Sequence, residues 1–562
     1  MAKKKPKSKP QPMKAGPLQS LFAGRYAVRL HLLAFGLGAA VYGIWSVLLG
    51  QDNNWDLRNY HYYNPFALLN GRLGFDYAPA QIQSFLNPLQ DLPFYFLVNV
   101  LPPMGVGFVM GALHGLNFGL IFAIAWVLLP GRTPALRLGL ALLCAAVGMY
   151  SPITLAELGA TENDLFTGLF AMAALLVVIR SLTGERIPGL KTRPAQLLVA
   201  GLIMGIGCGL KLTAVPYALG LLLASLVIGE DWRQRLTTVG WLVAGLVLGF
   251  LLSGGFWMIT MWSHYRSPLF PFYNQWFQSP YYDLRNFGDA RFMPRSVLEW
   301  LFQPFYFFTS NQFTYHSNDF RDIRYAIIYV LLGAFLVLRL IRGKTTPGQP
   351  QGEQHLLGPG RLTSAELVLL TFFISSYVIW ELQFSVIRYI PPLEHLAPLM
   401  IMILVFRIFS AREIRAGALG VLFLIGVLIV RPPGFQRLPW SNKFFDTQAP
   451  PLEQPDQTVV LIASDRPWSY LIPAFPSGVR FVRVGGNFTR PHRPTRMVAE
   501  MRELIDNHQG PLYLLSRMER LREDAQLLQA YNVALLRLQP KPVGSRHEPR
   551  GLVLWPAVRM EN

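Results

Sequence analysis

Residues 237–262 read TTVGWLVAGLVLGFLLSGGFWMITMW and contain no charged side chain. A helix needs about 20 consecutive apolar residues to cross the hydrocarbon core of a bilayer, so this run is long enough to span it. Across the 562 residues, 52% are apolar and 15% are charged, whereas soluble proteins have roughly 25% charged residues. The sequence therefore predicts an integral membrane protein.

Ten other apolar runs have a similar character, although several are shorter. Cys144 and Cys208 both lie inside such runs, and their spacing provides neither a disulfide framework nor a metal motif. The fold class we expect is an all-α polytopic membrane bundle with about eleven transmembrane helices. The predicted spans are 28–50, 105–129, 136–150, 164–182, 196–210, 213–229, 237–262, 323–341, 364–382, 391–409 and 416–430.

The formal net charge of +19 comes largely from Lys and Arg in alternate connections between these runs. Cytoplasmic loops of membrane proteins are rich in Lys and Arg, so these connections predict a cytoplasmic N-terminus. No aromatic and basic platform for nucleic acid accompanies the charge. We therefore expect membrane lipids and no nucleic acid as partners, and a location in the bacterial inner membrane. The predicted divisions are a basic cytoplasmic tail (1–27), a transmembrane domain (28–430) with external loops 51–104, 151–163 and 263–322, and an external region (431–562).

The composition changes after the last predicted span. Five short apolar segments there are typical of strands, and residues 494–508 and 517–531 have helical periodicity. We therefore expect a small C-terminal α/β domain outside the membrane. The predicted strands are 458–463, 479–484, 511–516, 533–538 and 552–555.

The first external loop contains a possible catalytic carboxylate. Asp56, Tyr60 and Asn64 are each four residues apart, so a helix would place them on one face. Asp56 would then act as a base that removes a proton from an acceptor, with Tyr60 and Asn64 binding the substrate. A solvated loop with a helix-capping Asp is the alternative.

Three other aspartates in this loop are rivals for the base. Asp52 lies close to the end of the first span and would cap the next segment, and Asp76 lies in a Gly-rich turn where Asp commonly bonds to backbone. Asp91 precedes Pro93 at the start of the next span, where it would favour the helix N-terminus. We predict Asp56 because it alone has aromatic and amide neighbours on a shared face.

The second external loop, LAELGATENDLFTGLF, places Glu157, Glu162 and Asp164 at the mouth of a span. One interpretation is helix capping by Thr161 or Asn163, with acidic residues favouring the positive helix end. The other is a carboxylate site that faces the first loop and binds a metal or the acceptor. A divalent metal is thus a candidate cofactor, and its ligands are unknown.

Two cations on the same side as these loops are candidate phosphate ligands. Lys211 interrupts the apolar stretch 196–229, and Arg388 precedes Tyr389 at the mouth of another span. Arg binds phosphate with a bidentate fork and Lys binds it as a point charge. Snorkelling to lipid headgroups is the alternative for each.

These residues, in this order, resemble the GT-C superfamily of membrane glycosyltransferases, which includes protein O-mannosyltransferases and aminoarabinose transferases of lipid A. The matching features are Asp56 to Gly71, Asn87-Pro88-Leu89, Thr161 to Asp164, GLIMGIGCGLKLT ending near Lys211, HYRSPLFPF (264–272) and Arg388-Tyr389-Ile390-Pro391-Pro392. In this chain the usual acidic pair of the first loop is Asp56-Leu57, and Asn87 stands where a basic residue is common.

The resemblance implies an inverting glycosyltransferase that uses a polyprenyl-phosphate sugar. Its acceptor would be a glycan, lipid or protein of the cell envelope, reached on the external, periplasmic face. Two other classes compete with this interpretation: a transporter or lipid flippase, and a structural subunit whose external domain recruits partners. A transporter predicts polar residues at mid-membrane, whereas a glycosyltransferase predicts that Asp56, Asp164, Lys211 and Arg388 converge at one external cavity.

Overall fold

A computed structural model describes residues 25–129, 133–183, 189–309, 320–342 and 362–560. Apart from its last three residues, where the first helix begins, the predicted tail 1–27 lies outside these residues. All eleven predicted spans fall on helices. The helices are α1 Arg25–Leu49, α2 Tyr63–Leu69, α3 Leu92–Val100, α4 Pro103–Leu128, α5 Pro134–Met149, α6 Pro152–Glu157, α7 Asp164–Thr183, α8 Arg193–Leu210, α9 Val215–Ser225, α10 Trp232–Tyr265, α11 Asn274–Phe277, α12 Val297–Thr309, α13 Arg324–Arg342, α14 Ser364–Gln383, α15 Pro391–Ile408, α16 Arg412–Ile429, α17 Arg496–Asp506 and α18 Leu521–Gln529.

Within the described residues, eight helices are long and apolar enough to cross a membrane: those at α1, α4, α7, α8, α10, α13, α14 and α15. The predicted number of about eleven is higher because α5 and α9 are shorter apolar helices and α16 begins with charged residues. The polytopic helical bundle is confirmed. The helix α15 is at its centre, with every residue of its apolar window buried.

Close packing of α8 against α10 explains the glycines that precede Lys211. A Cβ on Gly205 would lie 2.1 Å from the Leu246 carbonyl oxygen, and Gly201 faces the Leu242 carbonyl in the same way. Small residues let membrane helices approach this closely. Lys211 follows directly at the C-terminal end of α8.

A six-stranded sheet follows the bundle, which confirms the small C-terminal α/β domain. Its central order is β4-β3-β5-β8-β6, with β7 paired to β8. The pairs β3–β4 and β3–β5 are parallel, and β8 is antiparallel to its neighbours. The strands are β3 Val459–Ile462, β4 Arg480–Arg483, β5 Leu512–Ser516, β6 Val533–Leu535, β7 Lys541–Val543 and β8 Leu552–Arg559; a separate antiparallel pair joins β1 Gln51–Asp52 to β2 Arg437–Leu438.

The first loop is buried between the bundle and the sheet domain instead of being solvated. Besides the β1–β2 pair, Tyr77 forms a bridge to β4, with its amide 2.9 Å from the Phe481 carbonyl. Asp76 accepts hydrogen bonds from Arg72, Tyr63 and the Phe481 amide. Asp76 thus has the structural role expected for it, and the contacts hold the loop against the domain.

Candidate functional site

The segment that presents Asp56 is an irregular helix. Residues Leu57–His61 form a π-helix, and α2 begins two residues later. Such π-helical turns occur frequently at functional sites. The expectation that Asp56, Tyr60 and Asn64 share a regular helical face is therefore wrong, because the i→i+5 bonding of this turn changes the register.

Asp56, Asp164, Lys211 and Arg388 converge at one end of the bundle. Arg388 Nη1 donates to Asp56 Oδ2 at 2.6 Å, and Arg388 Nε lies 3.1 Å from Asp164 Oδ2. Lys211 Nζ lies 2.5 Å from Asp164 Oδ1 and donates to the Glu162 carbonyl. The four side chains form one continuous chain of alternating charge, which we call the charge cluster. Residues 332 positions apart in the sequence meet there.

Helix ends position each member of the charge cluster. Asp164 is the first residue of α7, Lys211 directly follows α8, and Arg388 precedes α15 by three positions. Asp56 follows the end of α1 by a few residues. The polar residues thus gather at the ends of the spans instead of at their middle, which disfavours the arrangement expected of a transporter.

Two cations balance two carboxylates in the charge cluster, and little of it is exposed. The side chains of Asp56 and Arg388 are each 10% exposed, and that of Lys211 is 11% exposed. Burial raises the pKa of Asp56, but Arg388, His61 and Lys211 together outweigh burial and hold this pKa below its ordinary value. Asp56 is therefore ionised and forms an ion pair with Arg388.

The aromatic residues predicted for the site lie beside the cluster. The Tyr389 ring lies 5.3 Å from Arg388 Cζ and 5.7 Å from Lys211 Nζ, within cation–π range. Tyr60 is buried, and the charges of Asp56 and Arg388 both act on its hydroxyl. Burial, with Asp56 adding to it, raises the pKa of Tyr60 well above its usual range. Tyr60 is therefore a neutral hydrogen-bonding group.

Asn64 does not join the charge cluster. Its amide donates to the Gln83 carbonyl at 2.8 Å, and within the described chain it forms no hydrogen bond to the four charges. The substrate-binding role predicted for Asn64 has no support in this geometry, because α2 turns it toward the segment that follows Ala80.

Glu157 and Glu162 are buried carboxyl groups next to the cluster. Burial raises the pKa of both well above the ordinary range; Asp164 adds to this at Glu157, and Asp52 adds to it at Glu162. Both groups therefore favour the neutral acid. Glu162 reaches Lys211 through its backbone carbonyl and not through its carboxyl group.

Side-chain hydrogen bonds join the two loops. Thr161 donates to Asp52 Oδ2 at 2.9 Å through its hydroxyl and at 3.0 Å through its amide. Asn163 Nδ2 donates to Asp91 Oδ1 at 2.6 Å, and His61 Nδ1 lies 2.8 Å from the same oxygen. Asp91 precedes α3 but makes no capping hydrogen bond with its side chain. Asp91 thus lies at the helix N-terminus, as expected, but its carboxylate is bonded to His61 and Asn163 instead of to the helix backbone.

Sequence reasoning missed His61 and its contact with Asp91. His61 is fully buried and is one of the groups that lower the pKa of Asp56. The signal was a single histidine among aromatic residues in NYHYYN, which is too weak to distinguish from core packing.

The described residues do not fit a divalent cation. Asp56 and Asp164 are each paired with Arg388, Asp164 also with Lys211, and the nearby glutamates favour the neutral form. Within the described ranges, no three His, Cys, Asp or Glu side chains are arranged to hold a metal ion. We assign no step to a metal.

An apolar groove of about 340 Å³ runs beside the charge cluster. Three of its residues adjoin site residues in the chain: Leu210 precedes Lys211, Phe166 follows Asp164 by two positions, and Gln90 precedes Asp91. Asn87 braces this wall by donating to the carbonyls of Gly209 and Ser253 at 2.8 and 2.9 Å. The groove is lined by Leu89, Gln90, Pro93, Phe166, Ile206, Leu210, Leu252 and Ser253.

The polytopic bundle is the architecture expected from the resemblance to GT-C proteins, whereas the sheet domain was expected from the composition of residues 431–562 alone. The family model described as glycosyltransferase family 87 matches residues 85–349, somewhat less than half of the chain. This part of the chain is therefore similar to a family of glycosyltransferases. The matched region contains Asp164, Lys211 and the whole groove, whereas Asp56 and Arg388 lie on either side of it.

Comparison with solved structures finds similarity to the archaeal oligosaccharyltransferase AglB from Archaeoglobus fulgidus, in complex with an inhibitory peptide and a dolichol-phosphate. The superposition covers 90% of this chain and 72% of that chain, at 12% sequence identity and a TM-score of 0.43. Comparison with curated proteins gave no significant match.

Proposed function

We propose that this protein transfers a sugar from a polyprenyl-phosphate donor to an envelope acceptor at the external face of the membrane. The observation that supports this most is the position of the charge cluster beside an apolar groove between spans. A lipid-linked sugar phosphate needs both: cations for the phosphate and an apolar channel for the lipid chain. The dolichol-phosphate in the AglB structure is a lipid of the proposed polyprenyl-phosphate class.

In the proposed reaction Asp56 takes the proton of an acceptor O–H or N–H group. The acceptor atom attacks the anomeric carbon, and the bond from that carbon to the phosphate oxygen breaks. Polyprenyl phosphate leaves with the electron pair, and Arg388 and Lys211 stabilise the charge that develops on it. Attack opposite the leaving group inverts the configuration at the anomeric carbon.

Donor binding would also activate the base. Arg388 is shared between Asp56 and Asp164 before the donor arrives, and a phosphate would compete with both carboxylates for it. As Arg388 turns toward the phosphate, Asp56 loses its closest positive charge. Burial then dominates and raises its pKa, because desolvation disfavours the charged form. A higher pKa makes Asp56 a stronger proton acceptor when the acceptor is in place.

If donor binding raises the pKa of Asp56, the acid limbs of the pH profiles of kcat/KM and of kcat should lie at different pH values. The limb of kcat/KM reports the free enzyme and the limb of kcat reports the donor complex. Arg388, His61 and Lys211 hold the pKa of Asp56 low in the free protein, so Asp56 stays ionised and competent to a lower pH there. We expect the kcat limb at higher pH than the kcat/KM limb. Coinciding limbs, or the reverse order, would rule out activation by the donor; full recovery on return to neutral pH controls for denaturation.

A larger side chain in the groove tests whether the groove binds the lipid chain of the donor. Leu252 lines the groove on α10, and Leu248 is one turn away on the same helix outside it, with 64% and 48% of their surfaces exposed. We expect Leu252→Trp to raise the KM for a long-chain donor about tenfold, equivalent to about 1.4 kcal/mol, while a donor with a short isoprenoid is affected little. Leu248→Trp is the matched control and should behave as wild type for both. Equal KM values for Leu252→Trp and Leu248→Trp with the long donor would place the lipid elsewhere.

A further inference from the structure

The carboxyl ends of the parallel strands β3 and β4 face the first loop, since Gln81 donates to the Asp465 carbonyl and Arg483 donates to the Pro79 carbonyl. The chain runs from β3 to β4 on one side and then to β5 on the other side of β3. In open α/β sheets, ligands bind outside the carboxyl ends of strands at such a switch point. The segments that follow β3 and β5 here contain Arg466 and Arg517.

Two further arginines, Arg58 and Arg550, lie at the same ends of the strands. Val553 pairs with Ser516, so the residues just before β8, including Glu548 and Arg550, lie at the carboxyl end of β5. Arg58 from the π-helix approaches Glu548 to 3.8 Å. The arginine cluster is defined as Arg58, Arg466, Arg517 and Arg550.

Among the described residues, two carboxylates pair with the arginine cluster. Glu548 contacts Arg517 and Arg58, and Glu519 lies 3.2 Å from Arg517 and 3.3 Å from Arg550. Asp465 is exposed, and its charge acts on Arg483 and Asp524, whose side chains are outside the cluster. The charge of Asp52 acts on Arg58 as well, so four guanidinium groups face three carboxylates and still leave an excess of positive charge.

Arg466 is the cluster member without a counterion. Within the described part of the chain its guanidinium forms no hydrogen bond or ion pair, and its Nε atom is buried without a partner. The Nε of Arg517, whose side chain is 7% exposed, is also unpartnered. Burial lowers the pKa of Arg58 and of Arg517, and the nearby charge of Arg466 lowers both further. Like charges held together with unsatisfied donors favour binding of an anion.

We propose that the arginine cluster binds a phosphate or carboxylate group of the acceptor. The inference rests on the proposed function, since it identifies the acceptor as anionic. Arg58 and Asp56 belong to the same helical segment but point to different sides of it, Arg58 toward Glu548 and Asp56 toward Arg388, so an acceptor anchored at the cluster would have to pass this segment to reach the base. A planar guanidinium fork suits phosphate and carboxylate alike, so the structure defines the anion and not its source.

The test is binding of inorganic phosphate and of glucuronate to the purified full-length protein, measured by calorimetry without a sugar donor. We expect saturable binding to wild type and about tenfold weaker binding, or more, to Arg466→Gln, because one charged donor is lost. Arg559→Gln is the matched control, because Arg559 pairs with Val533 at the opposite end of the strands, away from the cluster. Preference for phosphate or for glucuronate would distinguish a phosphorylated acceptor from a uronic acid.

Several outcomes would overturn the proposal. One is the absence of saturable binding of either anion, and another is equal affinity of Arg466→Gln and Arg559→Gln. A third is phosphate binding that is lost in Arg388→Ala but not in Arg466→Gln, because the anion would then occupy the charge cluster. Asp56→Asn should still bind the anion while failing to transfer sugar, so this proposal and the proposed reaction can fail separately.

Discussion

Asp56→Asn should abolish sugar transfer while leaving the protein folded and inserted. Asn keeps the shape of the side chain but cannot accept a proton, and loss of a general base typically costs about a hundredfold to ten-thousandfold in rate. Arg388 would retain Asp164 as a partner, at 3.1 Å in the native protein. The measurement is the transfer rate per mole of purified protein, with abundance and thermal stability determined in parallel.

Asp76→Asn provides a control from the same loop. Asp76 is also buried, but its carboxylate is bonded to Arg72, Tyr63 and the Phe481 amide. We expect this variant to reduce stability more than it reduces the rate per folded molecule. Near wild-type transfer by Asp56→Asn, together with an inactive Asp164→Asn, would instead place the base on the second loop.

Arg388→Ala should have the second large effect, on donor binding and turnover together. It removes a cation that contacts both Asp56 and Asp164 and that would hold the leaving phosphate. Removing one partner of a buried ion pair also destabilises a protein by about 3–5 kcal/mol. Donor affinity must therefore be measured on the folded fraction, by titration of a polyprenyl-phosphate sugar. Arg388→Lys should bind the donor weakly as well, because Lys lacks the planar fork.

The matched control for Arg388 lies at the far end of α15, the helix that Arg388 precedes. Arg407 is buried near the end of α15 and pairs with Glu366 at 2.5 Å. Arg407→Ala should lower stability by a similar mechanism but leave donor affinity unchanged. Equal donor affinity in Arg388→Ala and Arg407→Ala would remove Arg388 from the donor site.

The sequence predicted the helices well because the physical signal is local. Each apolar run had to satisfy its backbone hydrogen bonds within the membrane, so its length and composition indicate a helix. Lys211 and Asp164 could be placed at helix ends on the same side from these boundaries alone.

The contacts between loops could not be predicted in the same way. Asp91 could be placed at the start of the next span because it precedes Pro93, but its contacts with His61 and Asn163, which come from distant segments, could not be predicted. Asn64 was misplaced because a π-helix is not visible in residue spacing. The arginine cluster was missed altogether, since it joins Arg58 to a domain that begins hundreds of residues later.

The most direct test of the central claim is donor choice by the purified protein in lipid vesicles. Polyprenyl-phosphate pentoses and hexoses are supplied in parallel with the corresponding nucleotide sugars, and release of free polyprenyl phosphate is measured with wild type and Asp56→Asn. We predict release from a lipid-linked sugar by wild type in the presence of membrane-envelope acceptors, and a loss of about a hundredfold or more in Asp56→Asn. Sugar transfer from a nucleotide donor, or equal release by both proteins, would contradict the account.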